Sequence, residues 1–191
     1  MAIIAALFVT NAVSNEVYIE QVGSSSTINI TQQGSDNKVG TSLAAAYIGS
    51  GSNTVTIDQI GSMNILQMLV NGASTNVTVN ITGSGNDSEI MCGSSVSSSC
   101  SASTITQTLN GDNNVIKQLL GTGANHISNI TVTGDTNAVT HTSTSTGTTR
   151  ADIFVTGNTN TIGVTQSGTL QQTVSVTSTG NNNNIAITQS N

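Results

Sequence analysis

Residues 53–61 read N-T-V-T-I-D-Q-I-G, and residues 160–168 repeat the pattern as N-T-I-G-V-T-Q-S-G. A third full copy, N-E-V-Y-I-E-Q-V-G, lies at residues 15–23. The shared pattern is N-x-V/I-x-I/V-x-Q-x-G. Residues 26–34 carry it with Ser in place of Asn, and residues 183–191 carry it with Asn in place of the last Gly. Because self-similarity at a fixed period is the signature of repeat architectures, this unit decides the fold.

Apolar and polar residues alternate strictly within each unit. Since strand side chains point to opposite faces with period two, Val17 and Ile19 share one face with Gln21, and Glu16 and Glu20 share the other. The pattern has no helical period and is typical of a half-buried strand. The residues predicted to be buried are Val17, Ile19, Ile28, Ile30, Val55, Ile57, Ile162, Val164, Ile185 and Ile187.

The spacing of the units predicts how the strands stack. Terminal glycines such as Gly23 and Gly34 lie about 11 residues apart, so two strands with their turns make one coil of about 22 residues. The sequence therefore predicts an all-β fold, a β-solenoid of about seven stacked two-strand coils. An antiparallel meander is the alternative. Stacking favours the solenoid because the Asn and Gln side chains form ladders whose amides satisfy one another.

The repeat also predicts the domain organisation. Residues 1–14 form an apolar N-terminal cap or docking segment, and residues 15–191 form a single solenoid domain. Three stretches break the rhythm and are predicted to be loops, at residues 41–52, 92–102 and 143–149. Insertions of this kind protrude from the corners of solenoids.

Composition excludes several functional classes. Charged residues make up only 6% of the 191 residues, and the net charge is -6. Without a basic patch the chain is not expected to bind nucleic acid. It has no run of ~20 apolar residues, so no membrane span is expected. Few catalytic residue types are present, so we expect no enzyme activity, no catalytic residue and no cofactor.

The few reactive side chains favour structural roles. Cys92 and Cys100 enclose a Ser-rich loop, and a local disulfide is favoured over a metal site, which would need further ligands nearby. Free thiols are the remaining alternative. His126 and His141 lie in no metal-ligand motif, so we expect them on the surface or on a strand face.

Aspartates recur in the turns at positions 36, 112 and 135. A stacked Asp column that binds calcium is one interpretation. The G-G-x-G-x-D repeat of calcium-binding rolls is missing, so ordinary turn chemistry is favoured and no metal site is predicted.

The tandem unit resembles the curlin repeat, whose family builds extracellular amyloid fibres of bacterial biofilms. That family has Asn or Ser at the strand start, Gln late in the strand and Gly at the turn. In the middle of the chain the Gln position is replaced, for example by Met68, which implies a fixed order of individual coils. The family's inner polar ladder carries over as architecture, not as a catalytic site. The matching positions are Asn15, Gln21, Gly23, Gln32, Gly34, Asn53, Gln59, Gly61, Asn160, Gln166, Gly168, Asn183 and Gln189.

Similar curlin-like chains occur among structural proteins of marine tailed phages, and the resemblance implies a non-enzymatic structural protein of a virion or fibre. A secreted curli-like fibre subunit is the alternative, and an adhesin module that binds glycan or a cell surface is the second. The apolar stretch from Met1 to Val9 has no preceding positive charge, unlike a secretory signal, which favours the virion over an extracellular, cell-surface fibre.

The expected partners are other copies of the chain, or other structural proteins of the same particle or fibre. We expect at least one open end of the solenoid to dock axially, with residues 183–191 as the better candidate. A host-surface glycan is a further possible partner. Side-by-side assembly would need an apolar outer seam, and the sequence alone reveals none.

Overall fold

The structure is a computed structural model that describes residues 3–5, 14–42, 44–49, 51–71, 74–92, 102–121 and 125–191. Over these residues it is all-β, with no helix. The strands are, in chain order, β1 (Ile3–Ala5), β2 (Glu16–Val17), β3 (Ile19–Gln21), β4 (Thr27–Asn29), β5 (Gln32–Ser35), β6 (Lys38–Val39), β7 (Ala46–Ile48), β8 (Gln59–Ser62), β9 (Ile65–Val70), β10 (Ile81–Thr82), β11 (Asp87–Cys92), β12 (Leu109–Asn110), β13 (Val115–Leu120), β14 (His126–Ile127), β15 (Val132–Thr133), β16 (Ala138–Ser143), β17 (Thr149–Arg150), β18 (Val155–Thr156), β19 (Thr161–Ser167), β20 (Gln172–Thr173), β21 (Ser178–Thr179) and β22 (Asn184–Ser190).

The strands stack in two rows, and every strand pair is parallel. The first row is a 10-stranded sheet that runs from β2 and β3 at one end to β22 at the other. In the second row each segment is split into two short strands. The later halves form a 7-stranded sheet from β5 to β21, and the earlier halves pair through short ladders and isolated bridges. This arrangement is the β-solenoid that the repeat predicts.

Each coil starts at an asparagine just before its first-row strand, and we number the coils by these residues. Successive asparagines lie 22 to 28 residues apart. The ten first-row strands occupy eight levels, because coils 1 and 2 contribute two short strands each. With the seven second-row segments between them these levels give about seven turns, in agreement with the sequence. Coils 1 to 8 start at Asn15, Asn37, Asn64, Asn86, Asn114, Asn137, Asn160 and Asn183.

The core lies between the two rows and is made of the inward side chains of both. Of the residues predicted to be buried, four are 0–1% exposed: Val55, Ile57, Ile162 and Val164. Ile19, Ile28, Ile30, Ile185 and Ile187 are only partly buried against this core. The prediction is wrong for Val17, which is 37% exposed. These residues lie in coils at the ends of the rod or next to them, where fewer neighbours cover them.

The corners require glycine because the coils stack closely there. Gly61 and Gly83 have φ of +123° and +125°, and a Cβ on Gly61 would lie 1.9 Å from the carbonyl oxygen of Gly83. Any side chain at Gly61 would therefore clash with the backbone of the next coil. Two residues after a corner glycine the backbone takes the left-handed conformation again, as at Met63 after Gly61 and at Thr159 after Gly157.

The interruptions of the repeat have different structures. In coil 2 the described residues 41–42 and 44–45 form a bulge between Gly40 and Ala46. The backbone carbonyl of Val39 and the N–H of Ala46 both bond Tyr18. Residues 143–149 span the corner between β16 and β17, with Ser143 and Ser145 buried. The loop predicted at residues 92–102 lies outside the described residues except at its two ends. Of the N-terminal segment 1–14, the structure describes β1 and residue 14. β1 pairs with β4 in the second row.

Candidate functional site: polar ladders and open ends

The asparagines that start the coils form one continuous hydrogen-bond ladder. In each step the side-chain Nδ2 and the backbone N–H of one asparagine both donate to Oδ1 of the asparagine one coil earlier. For Asn64 and Asn37 these distances are 2.9 and 3.2 Å, and for Asn137 and Asn114 they are 3.0 and 2.9 Å. The interior members are 0–1% exposed. The ladder therefore satisfies buried amides along the axis.

The Nδ2 groups of the interior ladder make a second bond. Each donates to the carbonyl oxygen of the corner glycine that precedes the next ladder asparagine. Asn64 bonds Gly83 at 2.8 Å, and Asn114 bonds Gly134 at 2.8 Å. One amide thus ties its own coil to the coil before it and to the corner after it. Removing such an amide leaves several buried acceptors unsatisfied.

The predicted ladder residues divide between the two rows. Asn15, Asn160 and Asn183 belong to the asparagine ladder. Asn53 does not, because it starts a second-row segment and donates to the carbonyl of Gly49. In other coils Ser, Thr, His or Gln takes that second-row position.

The glutamines form two short ladders instead of one long one. Gln32 donates to Gln59 at 2.7 Å near the lower end, and Gln166 donates to Gln189 at 3.0 Å near the upper end. The two pairs belong to different rows. The second-row column of Gln32 and Gln59 continues with Ile81, Leu109, Val132 and Val155, and the first-row column below Gln166 holds mainly aliphatic residues, among them Leu120, Val70 and Ile48. Gln21 bonds only the carbonyl of Gly23, at 2.9 Å. The predicted glycines Gly23, Gly34, Gly61 and Gly168 all lie at corners with positive φ.

The sequence analysis missed most members of the asparagine ladder, namely Asn37, Asn64, Asn86, Asn114 and Asn137. A usable signal was present, because each of them follows a corner glycine in the pattern G-x-x-N. Asn160 and Asn183 follow Gly157 and Gly180 in the same way. The turn motif and the ladder motif are thus one feature.

A second ladder runs along the outside of this corner. The backbone N–H of Asp112 donates to Asp135 Oδ1 at 2.8 Å, and the N–H of Asp135 donates to Asn158 Oδ1 at 2.7 Å. Asn158 bonds Asn181 in the same way, and Ser84 bonds Asp112. The Asp112 and Asp135 carboxylates therefore act as turn acceptors. Among the described residues, no group of three or more His, Cys, Asp or Glu is placed to hold a metal ion.

Both histidines lie in strands with their side chains buried, so the strand-face alternative describes them and the surface alternative does not. His141 Nδ1 lies 2.8 Å from Ser128 Oγ, and its Nε2 lies 2.9 Å from Gln166 Oε1. Because the Gln166 oxygen can only accept, Nε2 carries the proton and Nδ1 accepts from Ser128. Burial lowers the pKa of His141 from 6.5 to about 4, against a smaller raising effect of the Gln166 bond. The imidazole is therefore neutral near pH 7.

His141 belongs to a polar cluster inside the middle coils. Gln107 donates to Gln118 Oε1 at 3.1 Å, and Ser88 donates to Gln107 Oε1. His126 contacts Thr149 Oγ1 through Nδ1 at 2.6 Å. At the positions of Gln118 and His141 the neighbouring coils carry aliphatic residues such as Ile90 and Val164, so the cluster gives coils 4 to 7 an individual interior.

The upper end of the solenoid is an open strand edge. β22 pairs with β19, and no described strand pairs with its other side. By the alternation of a parallel ladder, the backbone N–H groups of Asn184, Ala186 and Thr188 point away from β19. No described residue donates to Oδ1 of Asn183. This end therefore presents a row of free backbone groups and one free ladder acceptor.

The lower end is open in both rows. No described strand pairs with the lower side of β2 or β3 in the first row. In the second row β1 pairs with β4, and no described strand pairs with the other side of β1. The Nδ2 of Asn15 is buried and has no hydrogen-bond acceptor. The two ends are thus offset by half a coil, with a first-row strand outermost at one and a second-row strand outermost at the other.

Other candidate features remain predictions. Cys100 lies outside the described residues, so the Cys92–Cys100 bridge stays a prediction. The part of the chain that is described contains no helix long and apolar enough to cross a membrane. Comparisons of the chain with protein-family models, with curated proteins and with solved structures found no match.

Proposed function

We propose that this chain is a non-enzymatic structural protein that stacks end to end along its solenoid axis, as a component of a fibre or particle. The observation that carries the proposal is the complementarity of the two open ends. A stable solenoid buries each coil against its neighbours, and an unpaired strand edge recruits another strand. In this chain the natural occupant of each edge is the opposite end of a second copy.

The asparagine ladder gives the ends their polarity. Within the chain, each asparagine donates through N–H and Nδ2 to the asparagine one coil earlier. Asn15 at the lower end has a buried Nδ2 donor without an acceptor, and Asn183 at the upper end has an Oδ1 to which no described residue donates. Asn15 of a second copy, placed one coil above Asn183, continues the ladder. The missing bond of a buried donor is a free-energy cost of about 1–3 kcal/mol that stacking relieves.

The backbone matches in the same register. Thr161 N–H donates to the carbonyl of Asn183 in the last step within the chain. In the stack, Asn184 N–H meets the carbonyl of Asn15 of the second copy. The second-row strand β1 of that copy then lies beside β20, beneath its own first-row edge, because β1 pairs with β4 and the column of β4 ends at Thr173 in β20. The half-coil offset therefore fits one end into the other.

The setting we propose is a virion, with the chain as a structural or fibre protein of a tailed phage. The resemblance to curlin-like phage proteins supports it, and so does the individual interior of coils 4 to 7, which suits a component with a fixed number of coils. A secreted curli-like fibre is the runner-up. Isolation of the chain from purified virions, or from fibres shed by cells, separates the two.

Ala186→Pro tests the proposal because it changes only the free edge of β22. The N–H of Ala186 points away from β19, and Pro is tolerated on an edge strand whose N–H faces solvent. We expect this variant to remain folded and to lose stacking, measured by light scattering and negative-stain electron microscopy. Ala186→Ser keeps the N–H and is the matched control, expected to stack like the parent chain. Stacking by Ala186→Pro at the parent's rate overturns the proposal.

A further inference from the structure

The outward face of the first-row sheet, which we call the lateral face, carries apolar side chains in the first half of the rod. One outward column holds Tyr47, Leu69, Met91 and Leu119 in successive coils. Ile65 lies in the outward column on the other side of the face, and Ile65 and Leu119 are 36% and 40% exposed. This apolar seam was not evident in the sequence, because its members are separated by a whole coil along the chain.

The second half of the same face is made of small side chains. The column of Leu119 continues as Thr142, Thr165 and Thr188. The middle outward column holds Glu89 and Lys117 in coils 4 and 5 and continues as Thr140, Gly163 and Ala186. A Cβ built on Gly163 would meet no atom within 4 Å. The lateral face therefore changes from large to small along the axis.

The bulge of coil 2 stands out from the large half. Val39 and Ala46 on either side of it are buried in the core face, so the described residues of the bulge, 41–42 and 44–45, leave the sheet toward the lateral face. A compact turn holds the bulge, with Thr41 N–H donating to the Ala44 carbonyl at 2.8 Å and Ala44 N–H donating to Thr41 Oγ1 at 2.9 Å. A flat partner could not lie against this face.

We propose that the lateral face binds a second copy of this chain, face to face and with the two axes antiparallel. A two-fold axis between coils 4 and 5 sets coil 1 opposite coil 8, coil 2 opposite coil 7 and coil 3 opposite coil 6. The bulge of coil 2 then meets the hollow at Gly163, and Tyr47 and Leu69 meet Thr165 and Thr142. Large side chains face small ones on either side of the centre, and at the centre Met91 of each copy meets Leu119 of the other.

The charges at the centre of the face agree with this geometry. Glu89 and Lys117 lie one coil apart in the middle column, 3.9 Å from each other. In the antiparallel pair, Glu89 of each copy meets Lys117 of the other. With parallel axes, Glu89 would meet Glu89, Lys117 would meet Lys117, and one bulge would strike the other. Like charges placed opposite each other suppress that arrangement.

The size of the face is sufficient for a specific dimer. Eight strand levels at ~4.8 Å and six residues at ~3.3 Å give a face of roughly 38 Å by 20 Å. Two copies would bury about 1,500 Å² in total, close to the ~1,600 Å² of standard interfaces. The lateral face runs along the axis, so this contact leaves both ends of each rod free for stacking.

The test uses chains that carry Asn183→Leu, which removes the ladder acceptor of the upper end from a corner position outside the lateral face, so that end-to-end stacking does not obscure the lateral contact. We expect these chains to be dimers by light scattering coupled to gel filtration. Glu89→Lys and Lys117→Glu each place two like-charged pairs in the interface and should weaken dimerisation by about a hundredfold or more. An equimolar mixture of the two single variants restores every opposite-charge pair and should form heterodimers. The double variant Glu89→Lys/Lys117→Glu should dimerise like its parent.

The orientation is read from a photo-crosslinker at Tyr47. With antiparallel axes, a benzoylphenylalanine there crosslinks to the peptide of the other copy that contains Thr165. With parallel axes it reaches the neighbourhood of Lys38. A monomeric parent, single variants that dimerise as well as the parent, or crosslinks to the Lys38 peptide each overturn the proposal. Circular dichroism of every variant checks that the solenoid is folded.

Discussion

β19 and β22 have nearly the same sequence but different surroundings. Residues 160–168 read N-T-I-G-V-T-Q-S-G, and residues 183–191 read N-N-I-A-I-T-Q-S-N. The inward Ile162 and Val164 of β19 are each 1% exposed, whereas the inward residues of β22 are only half-buried. The difference arises because β19 has a strand on both sides and β22 on one. Burial in a solenoid is thus a property of the neighbours as much as of the repeat.

The interior and the ends also differ in their polar groups. Interior ladder amides bond the asparagine before them and the glycine after them, while Asn15 keeps a buried Nδ2 without an acceptor. Stacking supplies the neighbour that the end coils lack. Each prediction below compares a change in an interior coil with a related change at an end, or separates one interior coil from another.

The largest effect is expected from a charge in the interior core. Ile57→Asp buries an unpaired carboxylate at a position that is 0% exposed, and we expect it to cost more than about 4 kcal/mol and to unfold the chain. Val17→Asp in coil 1 should cost less than about 1 kcal/mol, since Val17 is 37% exposed. Thermal melts measure both. Equal melting temperatures for the two variants are incompatible with the core described above.

A change in the ladder should act differently inside the rod and at its end. Asn114→Leu leaves Asn86 Oδ1 and the Gly134 carbonyl without this donor and should reduce the free energy of unfolding by about 2–4 kcal/mol. Asn183→Leu removes fewer buried contacts and should cost about 1 kcal/mol, but it should weaken end-to-end stacking. Denaturant titration gives the first quantity and light scattering the second. If Asn183→Leu stacks normally, the ladder does not set the end contact.

Acid should weaken the middle coils through His141. The unfolded imidazole titrates near 6.5 and the folded one near 4, so the folded chain binds fewer protons between these values. The contribution of His141 to the free energy of unfolding is fully present above pH 6.5. It falls as the pH drops toward 4, by up to about 3 kcal/mol. His141→Gln, which copies Gln118 in the preceding coil, should flatten the dependence in this window. Parallel stability–pH curves for the parent and the variant would contradict this.

The smallest effect is expected at a corner. Thr159 has a φ of 58°, a conformation that a β-branched residue adopts with strain. Asn182 takes the same place in the next corner, with a φ of 57°. Thr159→Asn should therefore raise the free energy of unfolding by about 0.5 kcal/mol, and Asn182→Thr should lower it by a similar amount. Denaturant midpoints that move in the opposite directions would refute the corner assignment.

The fold was predictable because its period is local. The spacing of Gly23 and Gly34 and the alternation around Val55 and Ile57 give coil length, strand direction and core face. Asn53 was assigned to the wrong ladder because both rows use the same strand pattern, and only the G-x-x-N corner separates them. Val17 is exposed because no described strand pairs with the lower side of β2. The sequence of its own repeat contains no information about that neighbour.

The lateral face could not be predicted for another reason. Tyr47, Leu69, Met91 and Leu119 form one seam only after the coils are aligned, and the bulge of coil 2 and the loop after β11 shift the spacing between them. Likewise, the two partners of His141 come from different parts of the chain, Ser128 from a second-row segment and Gln166 from β19. Contacts between coils depend on the exact length of each insertion, and the repeat pattern does not fix that length.

The axial rise per copy in the assembled fibre tests end-to-end stacking most directly. If the ladder continues without a gap from Asn183 to Asn15 of the next copy, each copy contributes eight first-row strand levels. Cryo-electron microscopy should then show a subunit rise of about 38 Å, together with an unbroken ~4.8 Å strand repeat. A rise several ångströms longer, with a break in the strand repeat between copies, or fibres in which the rods lie across the fibre axis, would contradict stacking through the ladder.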